Sequence, residues 1–101
     1  MHIVFQYFDG CPNWEPTHER LLRAMDGLGA SLTMQLVATP EEAAAVEFRG
    51  SPTVLIDGVD PLDTTDAPPV GTLACRLYGT EDGSPTEQDL RAALIAAAER
   101  Q

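Results

Sequence analysis

Apolar residues along this chain come in short blocks whose period switches between two and about 3.6. Residues 2–8 carry Ile3, Val4, Phe5, Tyr7 and Phe8, stop at Asp9-Gly10, and predict a first strand. From about Asn13 to Leu28 the apolar positions Trp14, His18, Leu21, Leu22, Met25 and Leu28 fall at helical spacing, with Gly27 and Gly29 marking the end. Residues 31–38 alternate polar and apolar and predict a second strand. Thr39-Pro40-Glu41-Glu42 is a capping box with proline at the first helical position, opening a short helix to about Phe48. Pro52 then precedes a third strand over 53–57. In residues 73–78 Leu73, Cys75 and Leu77 share one face, which predicts a fourth strand with that face buried. Ser84-Pro85-Thr86-Glu87 reads as a second capping box, opening a helix through Arg100 with Leu90, Leu94 and Ala97 inward.

Between the last two strands, residues 57–72 are acidic and turn-rich, with Pro61, Pro68 and Pro69 and no trusted period. A connection of that length suits a lid or a partner surface. The whole is expected to be one domain over 1–101, because two cores in 101 residues would each be too small. The 44% hydrophobic content is ordinary for a globular domain and disfavours overall disorder.

Charge narrows the function classes. Sixteen Asp and Glu face six basic residues, all Arg, for a net charge of −10. Such a surface repels phosphate backbones and anionic bilayers, so neither a nucleic-acid nor a membrane partner is expected. No apolar run approaches the roughly 18 residues a membrane span needs. The start Met1-His2-Ile3-Val4-Phe5-Gln6 has no basic segment before a long apolar one, so the expectation is a cytoplasmic protein without a signal peptide. Two cysteines in that setting point to redox chemistry, a metal, or one reactive thiol and one core residue.

Cys11 carries the clearest chemistry. It stands at the strand-to-helix junction Asp9-Gly10-Cys11-Pro12-Asn13-Trp14. A helix N-terminus offers unpaired N–H groups and a positive dipole end, both favouring a thiolate. The element order β-α-β-α-β-β-α, Cys11 after the first strand, and Phe48-Arg49-Gly50-Ser51-Pro52-Thr53-Val54-Leu55-Ile56-Asp57-Gly58 together resemble the thioredoxin-like family, thioredoxins and glutaredoxins included, over essentially the full chain. The resemblance implies an α/β fold with a four-stranded mixed sheet flanked by helices. It implies Cys11 as nucleophile and Pro52 as a cis-proline that leaves the Ser51 carbonyl and the Thr53 N–H to pair with an extended substrate.

The motif departs from the family's Cys-x-x-Cys, because Trp14 holds the fourth place. A dithiol cycle within the motif is therefore excluded, and a monothiol oxidoreductase is expected. Its substrate would be a small thiol or a protein disulfide. No tightly bound cofactor is expected, and glutathione or another low-molecular-weight thiol would be the co-substrate. Trp14 is a candidate to stack on a ligand or to cap the core. Arg49 is a candidate to hold a carboxylate or to sit as a solvated helix-end charge.

Cys75 reads first as a small core residue, with a resolving or metal-ligand role as the alternative. A direct Cys11–Cys75 bond looks awkward if the third strand lies between the first and fourth. His18 reads as a partly buried helix-face residue and His2 as exposed. Asp9 reads as an Asp-Gly turn or a proton donor beside Cys11. The cysteines and histidines show no zinc spacing, and no metal site is assigned. Two further function classes compete. One is a non-catalytic thioredoxin-fold binding or dimerisation module, which includes a homodimer. The other is a soft-metal, mercury-type thiol site using Cys11 and Cys75, by likeness to thioredoxin-like proteins grouped with organomercurial lyases.

Overall fold

The computed structural model describes residues 1–62 and 68–100. Six elements follow in order: β1 (His2–Tyr7), α1 (Trp14–Ala24), β2 (Ser31–Leu36), α2 (Pro40–Ala45), β3 (Thr53–Ile56) and α3 (Glu87–Glu99). β1 is the centre of a three-stranded mixed sheet ordered β2-β1-β3. It pairs parallel with β2, placing Phe5 beside Met34, and antiparallel with β3, placing Phe5 beside Val54.

Period two in β1 sends Ile3 and Phe5 into the core, both fully buried. They meet Val54 and Ile56 of β3, Leu21 and Ala24 of α1, and Leu90, Leu94 and Ala97 of α3. Burying each large apolar side chain contributes roughly 1.5–3 kcal/mol, so this one cluster dominates the stability of the sheet and its two helices. Gln6 is buried on β1 without penalty because its amide donates to Gln35 on β2 at 2.8 Å. A smaller cluster of Val37, Ala43 and Phe48 gathers under α2.

Helix ends are satisfied by named groups. Thr39 Oγ1 accepts from the Glu42 N–H at 3.1 Å at the head of α2. At α3 the cap is Thr86, whose Oγ1 accepts from the Asp89 N–H at 3.0 Å; it lies two residues past the expected Ser84. α1 ends at Ala24, and Arg91 reaches over from α3 to donate to the carbonyls of Ala24 and Asp26 at 3.0 and 2.9 Å. Leu22, one of the apolar positions at helical spacing, is half exposed at 49%.

Among the described residues the sheet has three strands, not the expected four. Residues 73–78 make no strand; they touch the sheet's neighbourhood through a single bridge, Cys75 to Ser51, parallel and just ahead of β3. The alternation read there is also inverted. Arg76 is buried at 1%, Leu77 is exposed at 54%, and Cys75 is exposed rather than a core residue. The physical reason is that Arg76 has partners inside: its guanidinium donates to Asp60 Oδ2 at 2.7 Å and to the Leu62 carbonyl. With its donors bonded there Arg76 takes the inner side, and the neighbouring Leu77 is left facing outward.

The segment expected to be one long loop starts with a tight turn. Asp57 and Gly58 both take positive φ, 50° and 84°, and Val59 exchanges both backbone hydrogen bonds with Ile56. The middle of that segment, 63–67, lies outside the described residues. Among the described residues no helix is long and apolar enough to cross a membrane.

Candidate functional site

Three consecutive residues, Ser51, Pro52 and Thr53, form the platform of the site. All three are buried, and the Ser51–Pro52 peptide bond is cis. Ser51 Oγ accepts from the Phe8 N–H at 2.9 Å, which ties the platform to the loop after β1. Gly50 precedes it at φ 104°, a conformation side-chain-bearing residues rarely adopt.

The turn after β1 delivers Cys11 onto this platform. The Cys11 N–H donates to the Phe8 carbonyl at 3.0 Å, and Cys11 Sγ lies 3.5 Å from the Ser51 carbonyl oxygen. Cys11 is 1% exposed and precedes the N-cap of α1, Asn13, by two residues. The segment around Cys75 arrives from the other side. Ser51 N–H donates to the Ala74 carbonyl, and Arg76 N–H donates to the Ser51 carbonyl, each at 2.8 Å. Cys75 is thereby held against Cys11, with Cα atoms 5.7 Å apart, and the two form a disulfide. The bond is awkward only for a chain with a fourth strand beyond the third; here the segment crosses at Ser51, beside Cys11.

Each remaining candidate has a definite place. The Ser51 carbonyl already accepts the protein's own Arg76 N–H. Thr53 Oγ1 donates to the Gly50 carbonyl at 2.6 Å and accepts from Arg76 at 3.3 Å. Arg49 is half exposed, and its Nε lies 3.4 Å from Asp60 Oδ2, so the carboxylate it meets belongs to this chain. Trp14 is half-buried and packs on Tyr7, ring centroids 4.5 Å apart. His18 is half-buried against Phe5 at 5.7 Å. Among the described residues no three His, Cys, Asp or Glu side chains converge as a metal site.

Sequence reasoning missed Arg76, Asp60 and Tyr78. The Tyr78 hydroxyl donates to the Pro52 carbonyl at 2.5 Å, and the Arg76 guanidinium lies over the Tyr78 ring at 4.7 Å. Burial pushes the Tyr78 phenol well above its ordinary range, opposed in part by the Arg76 charge. The available signal was Arg76 itself, a charge inside an apolar-alternating run with Asp60 upstream.

A cleft of about 390 Å³ is lined by Asn13, Leu77, Glu81, Asp82 and Gly83 among others, and neither cysteine is part of its lining. Asn13 follows Cys11 by two residues and Leu77 follows Cys75 by two. Asp82 forms a 2.6 Å ion pair with Arg20. The Arg20 hydrogen bond, with help from the Ser84 N–H, lowers the Asp82 carboxyl to about 2. Comparison with protein-family models, with curated proteins and with solved structures finds no match in any of the three.

Proposed function

We propose that this protein is a thiol–disulfide oxidoreductase whose redox unit is Cys11 paired with Cys75. The observation that carries the reading is the convergence of two cysteines 64 residues apart on one backbone platform, with no Cys-x-x-Cys in the chain. It supports replacing the monothiol scheme with a two-cysteine one. The placement of Cys11 and Pro52, which resembles thioredoxin-like proteins, supports the same chemistry. We place the protein in the cytoplasm, where glutathione keeps thiols reduced and a cysteine pair cycles rather than persists.

Exposure divides the roles. Cys75 is the exposed member and meets a substrate first; buried Cys11 resolves. In the reduced protein the Cys75 thiolate attacks one sulfur of a substrate disulfide, and the other substrate sulfur leaves as a thiolate. The Cys11 thiolate then attacks Cys75 Sγ, expels the second substrate thiolate, and closes the Cys11–Cys75 bond. Two electrons pass from the cysteines to the substrate. Two equivalents of a small thiol held in large excess, such as glutathione, drive reduction of the pair by mass action, and its two electrons are returned.

The test is turnover of bis(2-hydroxyethyl) disulfide with glutathione as reductant. The wild-type protein should accelerate the reaction, and Cys75→Ser and Cys11→Ser should each retain less than a tenth of that rate. Acceleration that survives either substitution, or none in the wild type, would overturn the proposal. A second reading, a reduced pair that binds a soft cation, is favoured by the same convergence of two sulfurs. Tight mercuric-ion binding by a wild-type protein that has no turnover would select it.

A further inference from the structure

Cys75 is flanked by anchors that do not involve sulfur. On one side Ala74 takes the Ser51 N–H; on the other Arg76 gives its N–H to the Ser51 carbonyl. The Arg76 guanidinium is buried and bonded to Asp60, Thr53 and Leu62, and Tyr78 fastens the next turn of chain to Pro52. The Asp60 side chain is 5% exposed and its Oδ1 has no hydrogen-bond partner among the described residues, so the close Arg76 charge, with half-exposed Arg49 at 3.4 Å, makes its burial tolerable. Ser51 through Thr53 thus hold the Arg76 and Tyr78 anchors and, within 3.5 Å, the Cys11 sulfur. The Arg76, Tyr78 and Ala74 contacts are made by groups other than sulfur.

We propose that Arg76 and Tyr78 are positioning residues that keep Cys75 against Cys11 in the reduced protein, so that the pair runs as an electron donor. The inference rests on the two-cysteine reading above and adds the direction of electron flow. Two thiols held in reach react with a high effective concentration. The disulfide is then favoured at equilibrium, and a pair that favours its own disulfide reduces others.

The experiment equilibrates the full chain in glutathione redox buffers, traps thiols by alkylation, and reads the oxidised fraction by mass. Wild type gives the effective concentration of the pair. Tyr78→Phe should lower it about two- to tenfold, the span that corresponds to one lost buried hydrogen bond. Arg76→Met should lower it more than tenfold. Leu94→Ala, a fully buried position in α3 away from the segment, serves as a control for general destabilisation and should stay within twofold. Circular dichroism of each reduced variant establishes that it is folded. Arg76→Met carries the heavier perturbation, and Tyr78→Phe keeps the test decisive if that variant fails to fold. Equal effective concentrations in wild type and Tyr78→Phe, or an equal fall in Leu94→Ala, would overturn the inference while leaving the redox pair standing. A wild type that forms no Cys11–Cys75 bond in any buffer would sink both.

Discussion

Replacing Cys75 with serine measures how much the long-range disulfide contributes to the fold. Cys75 is the better site for the perturbation because it is exposed; serine there leaves no cavity and buries no hydroxyl. The effect is on the unfolded chain. The bond joins residues 64 positions apart, and closing such a loop removes about 14 cal/mol/K of chain entropy, about 4 kcal/mol at about 25 °C. For a domain of this size each kcal/mol moves the melting temperature by roughly 4–8 °C, so a fall of roughly 15–30 °C is expected. Urea titration followed by the fluorescence of Trp14, the single tryptophan, reads the difference. Oxidised wild type should stand about 4 kcal/mol above Cys75→Ser, and reduced wild type should coincide with the variant. The oxidised protein should also show a smaller slope against urea, because its unfolded state stays compact. A gap below about 1 kcal/mol between oxidised and reduced wild type would refute the loop-entropy reasoning for this chain.

Gly50→Ala should be severe, because φ is 104° and an added Cβ would stand 2.8 Å from both Arg76 Cβ and Pro68 Cγ. Left-handed strain and overpacking together predict about 2–5 kcal/mol by urea titration, against about 1–2 kcal/mol for Gly58→Ala, where the same strain meets open space. Asp82 gives a pH signature. Its carboxyl lies at about 2 in the folded protein, below the ordinary 3.8, so the Arg20 link stabilises fully above the ordinary value and is lost as pH falls through about 2. Melting temperatures across that window should fall more steeply for wild type than for Asp82→Asn; identical slopes would remove the link from the acid response.

The elements with a local cause were legible. Thr39-Pro40 announces α2 because its cap is made by neighbours in sequence, and Leu90, Leu94 and Ala97 lie where a 3.6-residue period puts them. Thr86 rather than Ser84 caps α3, a shift of two residues that a Ser-Pro-Thr run leaves undetermined. The Asp57-Gly58 pair carries the strongest short hairpin signal there is, yet the proline-rich residues behind it hid the turn. The failure at 73–78 has a different origin. Leu73, Cys75 and Leu77 alternate as a strand does, but the partner that decides their orientation, Asp60, is 16 residues away from Arg76. Periodicity reads what a side chain prefers alone and is blind to a charge pair assembled by the fold. Once that strand fails, the distance argument against a Cys11–Cys75 bond fails with it.

The sulfur link also turns part of the chain into a ring. α1, β2, α2 and β3 lie within it, while β1 and α3 hang outside as tails. The middle strand of the sheet is therefore one of the tails, gripped on each edge by strands that belong to the loop. A protease that cuts once between 12 and 74 leaves both pieces as a single covalent object, and they separate only after a reductant is added. A cut before residue 11 or after residue 75 instead leaves a tail with no covalent link, respectively the strand around which the sheet is built or the helix that supplies Leu90, Leu94 and Ala97 to the apolar seam.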